Sequence, residues 1–445
     1  MKRRVSVVSK EYAPRMKQIV QSYVDDKQFM GSILVVQKGQ VLLDEGYGFA
    51  NLEWQIPNSS ITKFRLGSLT KQFTAVAILL LEEQGKLKII DLLNQYMPDA
   101  PSAWNEVTIF HLLNHTSGIP NYTKFPDFTA FASSAKTPEQ QIAYFRDKPL
   151  KFEPGSDFEY NNSAYVLLGY LIEKLSGQSY QDFIVQNIFK PLEMNDSGYD
   201  SHSEILLHRA SGYEITPNGL RNTDYLDMSI PYAAGSLYST TQDLLRWHEK
   251  LFGGKIISPQ SLHKMIQPFK NTYGLGVSIL SLYGHKAITH GGGISGFNTF
   301  MIYFPEDKLT VIVLANLIAL GFVPQSIGLN IAELVYKKSV TTPSERKEIA
   351  FLPEALTQFI GSYTITPVNI YYKTQTSTLV IYLENDHLAA QIESHSKVKL
   401  FPESETKFFS KIPDVQIEFF KDKQGNVSHL VLHQDGEEST GMKIL

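Results

Sequence analysis

The chain has 445 residues, 43% hydrophobic, 12% aromatic and 19% charged, which is enough apolar material for one large core and a second, smaller one and excludes a disordered or fibrous protein. Forty-one basic and 45 acidic side chains leave a net charge of −4, so there is no bulk positive field to hold nucleic acid or an anionic membrane surface. With no cysteine, disulfides, thiolate nucleophiles and cysteine-type zinc sites are excluded together, and covalent chemistry must use oxygen or nitrogen.

The amino-terminal run MKRRVSVVSKEYAP starts basic, but its apolar stretch Val5–Val8 is broken by Ser6, so it does not read as a secretory signal. The compartment stays open: cytoplasmic for a full-length chain, periplasmic or secreted if a leader was removed. No stretch reaches the roughly 18 uninterrupted apolar residues of a membrane span. From Tyr12 to Phe29, Met16, Ile19, Val20, Tyr23 and Val24 recur at helical spacing. GSILVVQKGQVLLDEGYGFAN then reads as a hairpin at a sheet edge, turning at Gln37-Lys38-Gly39-Gln40. Leu69 to Gln84 is apolar on nearly all sides and stops at Gly85, the pattern of a buried helix.

Residues from about 86 to 230 read as helices and polar loops, punctuated by prolines, with few strand signals. Strand character returns in FNTFMIYFPEDKLTVIVLAN, split by Pro305-Glu306-Asp307, and a helix is expected from about Val323 to Lys338. Strands, then helices, then strands again predict an α/β (α+β) domain whose sheet closes across a helical insertion. The polar segment KKSVTTPSERKEI, with Pro343, places a boundary near 340–352, giving units of 1–345 and 346–445. Beyond it the short alternating runs TLVIYL, VQIEFF and HLVLHQ predict an all-β barrel or sandwich.

Three clusters could carry chemistry. In Ser68-Leu69-Thr70-Lys71, a serine opening the buried helix has its N–H among the unpaired helix-end donors, and the lysine returns to its face one turn later. Desolvation would make that amine a proton acceptor or electrostatic activator. S-x-x-K also begins at Ser60, Ser133, Ser261, Ser344, Ser394, Ser396 and Ser404, but none of these opens a buried helix. Tyr160-Asn161-Asn162 is the sole Y-x-N; a phenol near a lysine can act as general base, and an amide can hold a carbonyl. Read for structure alone, it is a core tyrosine with a helix-capping asparagine. His290-Gly291-Gly292-Gly293 would let a substrate lie against a strand and leave an N–H for an oxyanion, or would simply turn the chain.

Other patterns fail on context. Gly291 to Gly296 fits G-x-G-x-x-G, but a strand pattern follows where a dinucleotide site needs a helix. His111 and His115 have metal-ligand spacing without the glutamate of a zinc protease, and are read as structural. There is no G-x-S-x-G elbow and no Walker-type loop.

In this order, Ser68-x-x-Lys71, Tyr160-x-Asn162 and His290-x-Gly292 resemble the serine β-lactamase and penicillin-binding protein superfamily, in its class C-like, D,D-peptidase and esterase branch. FRLGSLTKQFTA, HLLNHTSGIP, FEYNNSAYVLLGYLIEKLSG, YAAGSLYSTTQDLLRW and HGGGISGF resemble it too, so the likeness spans about residues 15–338. It implies an antiparallel sheet flanked by helices, an all-helical subdomain and a cleft between them. It also implies Ser68 as acylated nucleophile, Lys71 as activator, Tyr160 as general base and acid, and Asn162, His290 and Gly292 as substrate-binding residues. The N–H groups of Ser68 and Gly293 would form the oxyanion hole, with no metal or organic cofactor.

Gly291 stands where penicillin-recognising relatives usually carry Thr or Ser, and His290 where class C relatives usually carry Lys. The missing hydroxyl would forfeit on the order of 1.5–3 kcal/mol in holding a substrate carboxylate. The expectation is therefore an esterase or peptidase acting on a small molecule or short peptide, weak on β-lactams. The alternatives are a D-stereospecific peptidase or D-Ala-D-Ala carboxypeptidase, or an acylated sensor or scaffold without turnover. The carboxy-terminal segment resembles a lipocalin-like appendage. Self-assembly into a homo-oligomer stays open.

Overall fold

Period-two alternation decides how the central sheet is buried. In the strand Gly31–Gln37 every residue is buried, because Ile33 and Val35 enter one core while Leu34 and Val36 enter another. Its neighbour Leu309–Ala315 divides in the same way, Val311 and Val313 against Ile312 and Leu314. A computed structural model places these elements and describes residues 12–337, 339–366, 376–393, 397–434 and 437–444. The basic amino-terminal run, Lys338, Ser394 and Ser396 lie outside the described residues.

Six strands form the sheet in the order Ser278–Leu282, His285–Ile294, Phe297–Phe304, Leu309–Ala315, Gly31–Gln37, Gln40–Tyr47, with every neighbour antiparallel. Gly31 pairs with Ala315 and Gln37 with Leu309, so the first strand closes onto one nearly 300 residues later. The expected edge hairpin turns through Lys38 and Gly39, both left-handed at φ 51° and 79°, the conformation a two-residue hairpin turn demands. Helices Ala13–Asp25 and Val323–Lys337 cover one face through Met16, Ile19, Ile327 and Ile331. Helices Thr70–Glu83 and Thr241–Phe252 cover the other through Phe73, Val76, Leu244 and Trp247.

Between the hairpin and the later strands lie the helices Ile109–Leu113, Pro138–Phe145 and Asn162–Ser176 with long loops. The region is not free of strands, however. Tyr213–Thr216 and Gly219–Asn222 form a hairpin, and the first of them pairs in parallel with Leu317–Ile318. Asn218-Gly219 was the available signal, with Gly219 at φ 107°, but strands of four residues offer too little alternation to read.

Eight antiparallel strands from Gly361 to Lys443 close into a barrel, Tyr363 opposite Lys443 completing the ring. The sequence left barrel and sandwich open; closure removes both edges. Phe359 enters from the preceding turn and packs against Phe408 and Phe419, with ring centroids 5.0 and 4.7 Å away, so aromatic side chains occupy the interior. Arg15 grips Glu345 through both guanidinium ends, and the next residue, Arg346, donates to Asp414 at 2.7 Å, so consecutive linker residues are tied to the first helix on one side and to the barrel on the other.

Candidate active site

Gly67 is left-handed at φ 53° and begins a short turn, Gly67–Leu69, that runs directly into the Thr70–Glu83 helix. No side chain caps this entry, so the amide of Ser68 remains among the donors free to meet a ligand. Ser68 is half-buried, whereas Lys71, one turn on, is fully buried. Its Nζ lies 2.9 Å from Ser68 Oγ, 2.8 Å from Asn162 Oδ1 and 3.0 Å from the carbonyl of Ala234. Burial holds the amine well below its ordinary pKa. A neutral amine has two N–H donors and one lone pair: Asn162 and Ala234 can take the donors, leaving the lone pair for the Ser68 hydroxyl.

The Y-x-N segment meets the lysine from the other side. Asn161, not Asn162, caps the Asn162–Ser176 helix, its Oδ1 accepting from the Ala164 amide at 3.0 Å. That frees Asn162, at the first helical position, to turn toward Lys71 while its amide nitrogen donates to Thr123 Oγ1 at 3.3 Å. The helix cap thus falls on Asn161, one residue before the Asn162 that faces Lys71. Tyr160 is buried, with Lys71 Nζ 4.8 Å from its ring centre, and the ring of His290 stands 6.1 Å away.

The strand Ser278–Leu282 pairs with His285–Ile294 only as far as Thr289, so the outer edge beyond it has no strand neighbour among the described residues. There the strand backs onto the nucleophile turn. A Cβ on Gly292 would fall 2.0 Å from the Leu66 carbonyl and 3.1 Å from the Ser68 nitrogen, and one on Gly67 would fall 3.0 Å from the Gly293 nitrogen. Only glycine permits this approach, which brings the Ser68 and Gly293 amides to one place beside an exposed Gly293. Thr299 locks the contact by donating to Leu66 O at 2.7 Å. His290 is buried with both nitrogens engaged: Nδ1–H donates to Gly291 O at 2.6 Å and Nε2 accepts from Tyr273 OH at 2.9 Å. Burial first, and then nearby Lys71, lower its pKa to about 3, so the ring is neutral.

Gly291 to Gly296 runs into a strand hairpin and not a helix. Thr108 N–H donates to His111 Nδ1 at 3.2 Å and Asn161 N–H to His115 Nδ1 at 3.1 Å, so each histidine has its own backbone donor. Lys63 and Lys264, from other S-x-x-K pairs, are paired with Asp196 and Glu82 at 3.1 and 2.8 Å. Sequence reasoning missed Ala234, whose carbonyl no side-chain pattern could announce, and the aromatic partners Tyr165 and Tyr273, two among 23 tyrosines.

Residues 16–329 match the β-lactamase family. The chain is 31% identical over 443 residues to penicillin-binding protein 4* of Bacillus subtilis strain 168, covering 94% of this chain and 95% of that protein. Among solved structures it is similar to the octameric penicillin-binding protein homologue from Pyrococcus abyssi, at 27% identity and a TM-score of 0.68, covering 96% of this chain and 99% of that one. It is also similar to the D-amino acid amidase from Ochrobactrum anthropi SV3, at 25% identity and a TM-score of 0.63, covering 73% of this chain and all of that one. The chain belongs to the β-lactamase family and is a serine hydrolase of the penicillin-binding-protein type, extended by a closed β-barrel.

Proposed function

We propose that this hydrolase works through an acyl-enzyme on Ser68, formed from small esters or amides and resolved by water. Ser68 Oγ bonds to the substrate carbonyl carbon while its proton passes to the neutral Lys71 amine or to the Tyr160 phenolate. The carbonyl oxygen becomes an oxyanion beside the amides of Ser68 and Gly293. As the tetrahedral species collapses, the leaving alkoxide or amine takes a proton from Tyr160 or Lys71. Water then repeats the sequence in reverse roles and releases the acid. Asn162 holds the lysine and can meet the substrate, Gly292 lets it approach the strand, and His290, bonded to Tyr273 with its ring toward Tyr160, lines the substrate side of that strand. The observation that carries the reading is the contact of a fully buried Lys71 with Ser68 Oγ at 2.9 Å, within reach for proton transfer.

Amides of D-amino acids are a second substrate class, supported by the likeness to the D-amino acid amidase. The octameric homologue supports self-assembly, and the separate barrel supports a division at 345/346. The test compares wild type with Ser68→Ala on a short-chain p-nitrophenyl ester, a D-amino acid amide and a chromogenic cephalosporin. Ester or amide turnover lost in the variant, with slow cephalosporin cleavage, is the expected result. Turnover retained by Ser68→Ala removes the assignment. One product equivalent per protein and no more, with an adduct on Ser68 by intact mass, would instead indicate an acylated sensor.

A further inference from the structure

His115 is a buried titratable residue that the chemistry above leaves unused. It follows the Ile109–Leu113 helix, is only 1% exposed, and is left-handed at φ 64°, a costly conformation for a bulky residue and one that marks a constrained position. Two contacts show what the constraint achieves. Its carbonyl accepts from the Glu159 amide at 3.0 Å, and its Nδ1 accepts from the Asn161 amide at 3.1 Å. These amides belong to the two residues that flank Tyr160. The imidazole also packs on the phenol, ring centres 4.3 Å apart, inside a wall completed by Tyr165 and Tyr273 at 5.2 and 4.7 Å.

We propose that His115 is the positioning residue of Tyr160 and, through Asn161, of Asn162, holding the Y-x-N backbone by one main-chain and one side-chain acceptor. The inference rests on the catalytic reading of Ser68 and Tyr160. Nδ1 can accept from Asn161 only when the proton sits on Nε2, so the clamp requires a neutral ring of one tautomer. The surroundings enforce neutrality: burial pushes the His115 pKa well below the ordinary histidine range. Losing the side-chain acceptor leaves one peptide of the segment unheld and its buried N–H unpaired.

Two substitutions separate this role from packing. His115→Asn keeps an acceptor close to the Nδ1 position and tolerates the left-handed backbone, but loses the ring. His115→Phe keeps the ring and loses the acceptor. Positioning predicts that kcat on the p-nitrophenyl ester falls about 10- to 100-fold in His115→Phe, with KM nearly constant, the scale of misplaced catalytic groups. His115→Asn should stay within about threefold of wild type, since it keeps the acceptor. Each kcat is taken per acylatable site, counted by fluorophosphonate labelling, so that partial unfolding does not count as lost catalysis. In a Tyr160→Phe background, His115→Phe should cost clearly less than it does in wild type, because part of its effect runs through Tyr160.

A packing role gives the opposite order, Asn worse than Phe, and overturns the proposal, as does a folded His115→Phe with wild-type kcat. Additive losses in the double variant overturn it too. Ser68→Ala in the same assay keeps the two ideas apart: if Ser68→Ala is active, the site reading has failed; if Ser68→Ala is inactive while His115→Phe matches wild type, only the role of His115 has.

Discussion

Asn162 Oδ1 accepts a hydrogen bond from Lys71 Nζ at 2.8 Å across 91 residues of sequence, and among the described residues no carboxylate is a hydrogen-bond partner of the amine. That neutral acceptor matters because an amide, unlike a carboxylate, does not strongly favour the ammonium form. Asn162→Asp would place an anion against the amine and raise its pKa by about 1–3 units. Since the reading needs a neutral Lys71, the limb of kcat/KM that rises with pH should move to higher pH by a similar amount. Ester hydrolysis followed from pH 5 to 10 would show it, and an unmoved limb would mean that Lys71 does not set the profile.

The same burial makes Lys71 a destabilising influence near neutral pH. Its folded pKa is lowered below the unfolded value, so between the two the unfolded chain binds one proton more. Stability from this group therefore rises toward about pH 10 and is lost as pH falls toward the lowered pKa, at up to about 1.4 kcal/mol per pH unit. Lys71→Met lacks this dependence. Denaturant titrations at pH 7, 8 and 9 should show wild type gaining on Lys71→Met as pH rises; parallel curves would place the ammonium form in the folded protein.

What was legible in the sequence follows from how local each signal is. The buried Thr70–Glu83 helix and the strands Gly31–Gln37 and Leu309–Ala315 announce themselves because each is apolar over its own length. Ser68, Lys71, Tyr160 and Asn162 were legible because side-chain identity and short spacing suffice, and the structure gathers them around one amine. The Tyr213–Asn222 hairpin was not legible, since its pairing with Leu317–Ile318 depends on residues about a hundred positions away. His115 was read as structural, and no spacing could reveal that it spans Tyr160 from both sides. The Ala234 carbonyl was equally hidden: its aim follows from a short helix whose Tyr232 is left-handed at φ 42°, a property of backbone and not of composition.

Gly292 faces the nucleophile turn at a distance no other residue allows. An alanine there would press its Cβ to 2.0 Å from Leu66 O and 2.4 Å from Thr299 Oγ1, so turn and strand must separate. The expected cost is about 1–3 kcal/mol of stability, typical of overpacking. Separating the two amides should also lower acylation by about 10²- to 10³-fold, the scale of a lost oxyanion-hole donor. Pre-steady-state labelling of Ser68 measures the second effect independently of the first. Gly292→Ala that loses stability but acylates normally would show that these amides do not share the oxyanion.

Gly291 bears on substrate choice. It lies opposite Phe300 in the strand pair, beside the open edge along which a substrate would extend, and it presents no hydroxyl there. A carboxylate bound at that edge lacks the charge-assisted bond that the usual Thr or Ser would supply. Gly291→Thr suits a strand, where β-branched residues are favoured. Restoring the bond should raise kcat/KM for a carboxylate-bearing cephalosporin by roughly 10- to 150-fold. A neutral p-nitrophenyl ester, which has no carboxylate to hold, should change little. The ratio of the two rates is therefore the quantity to measure, because any general disturbance of the strand cancels in it. If the ratio stays fixed while Gly291→Thr remains folded and active, the side chain at position 291 does not govern recognition of the cephalosporin carboxylate.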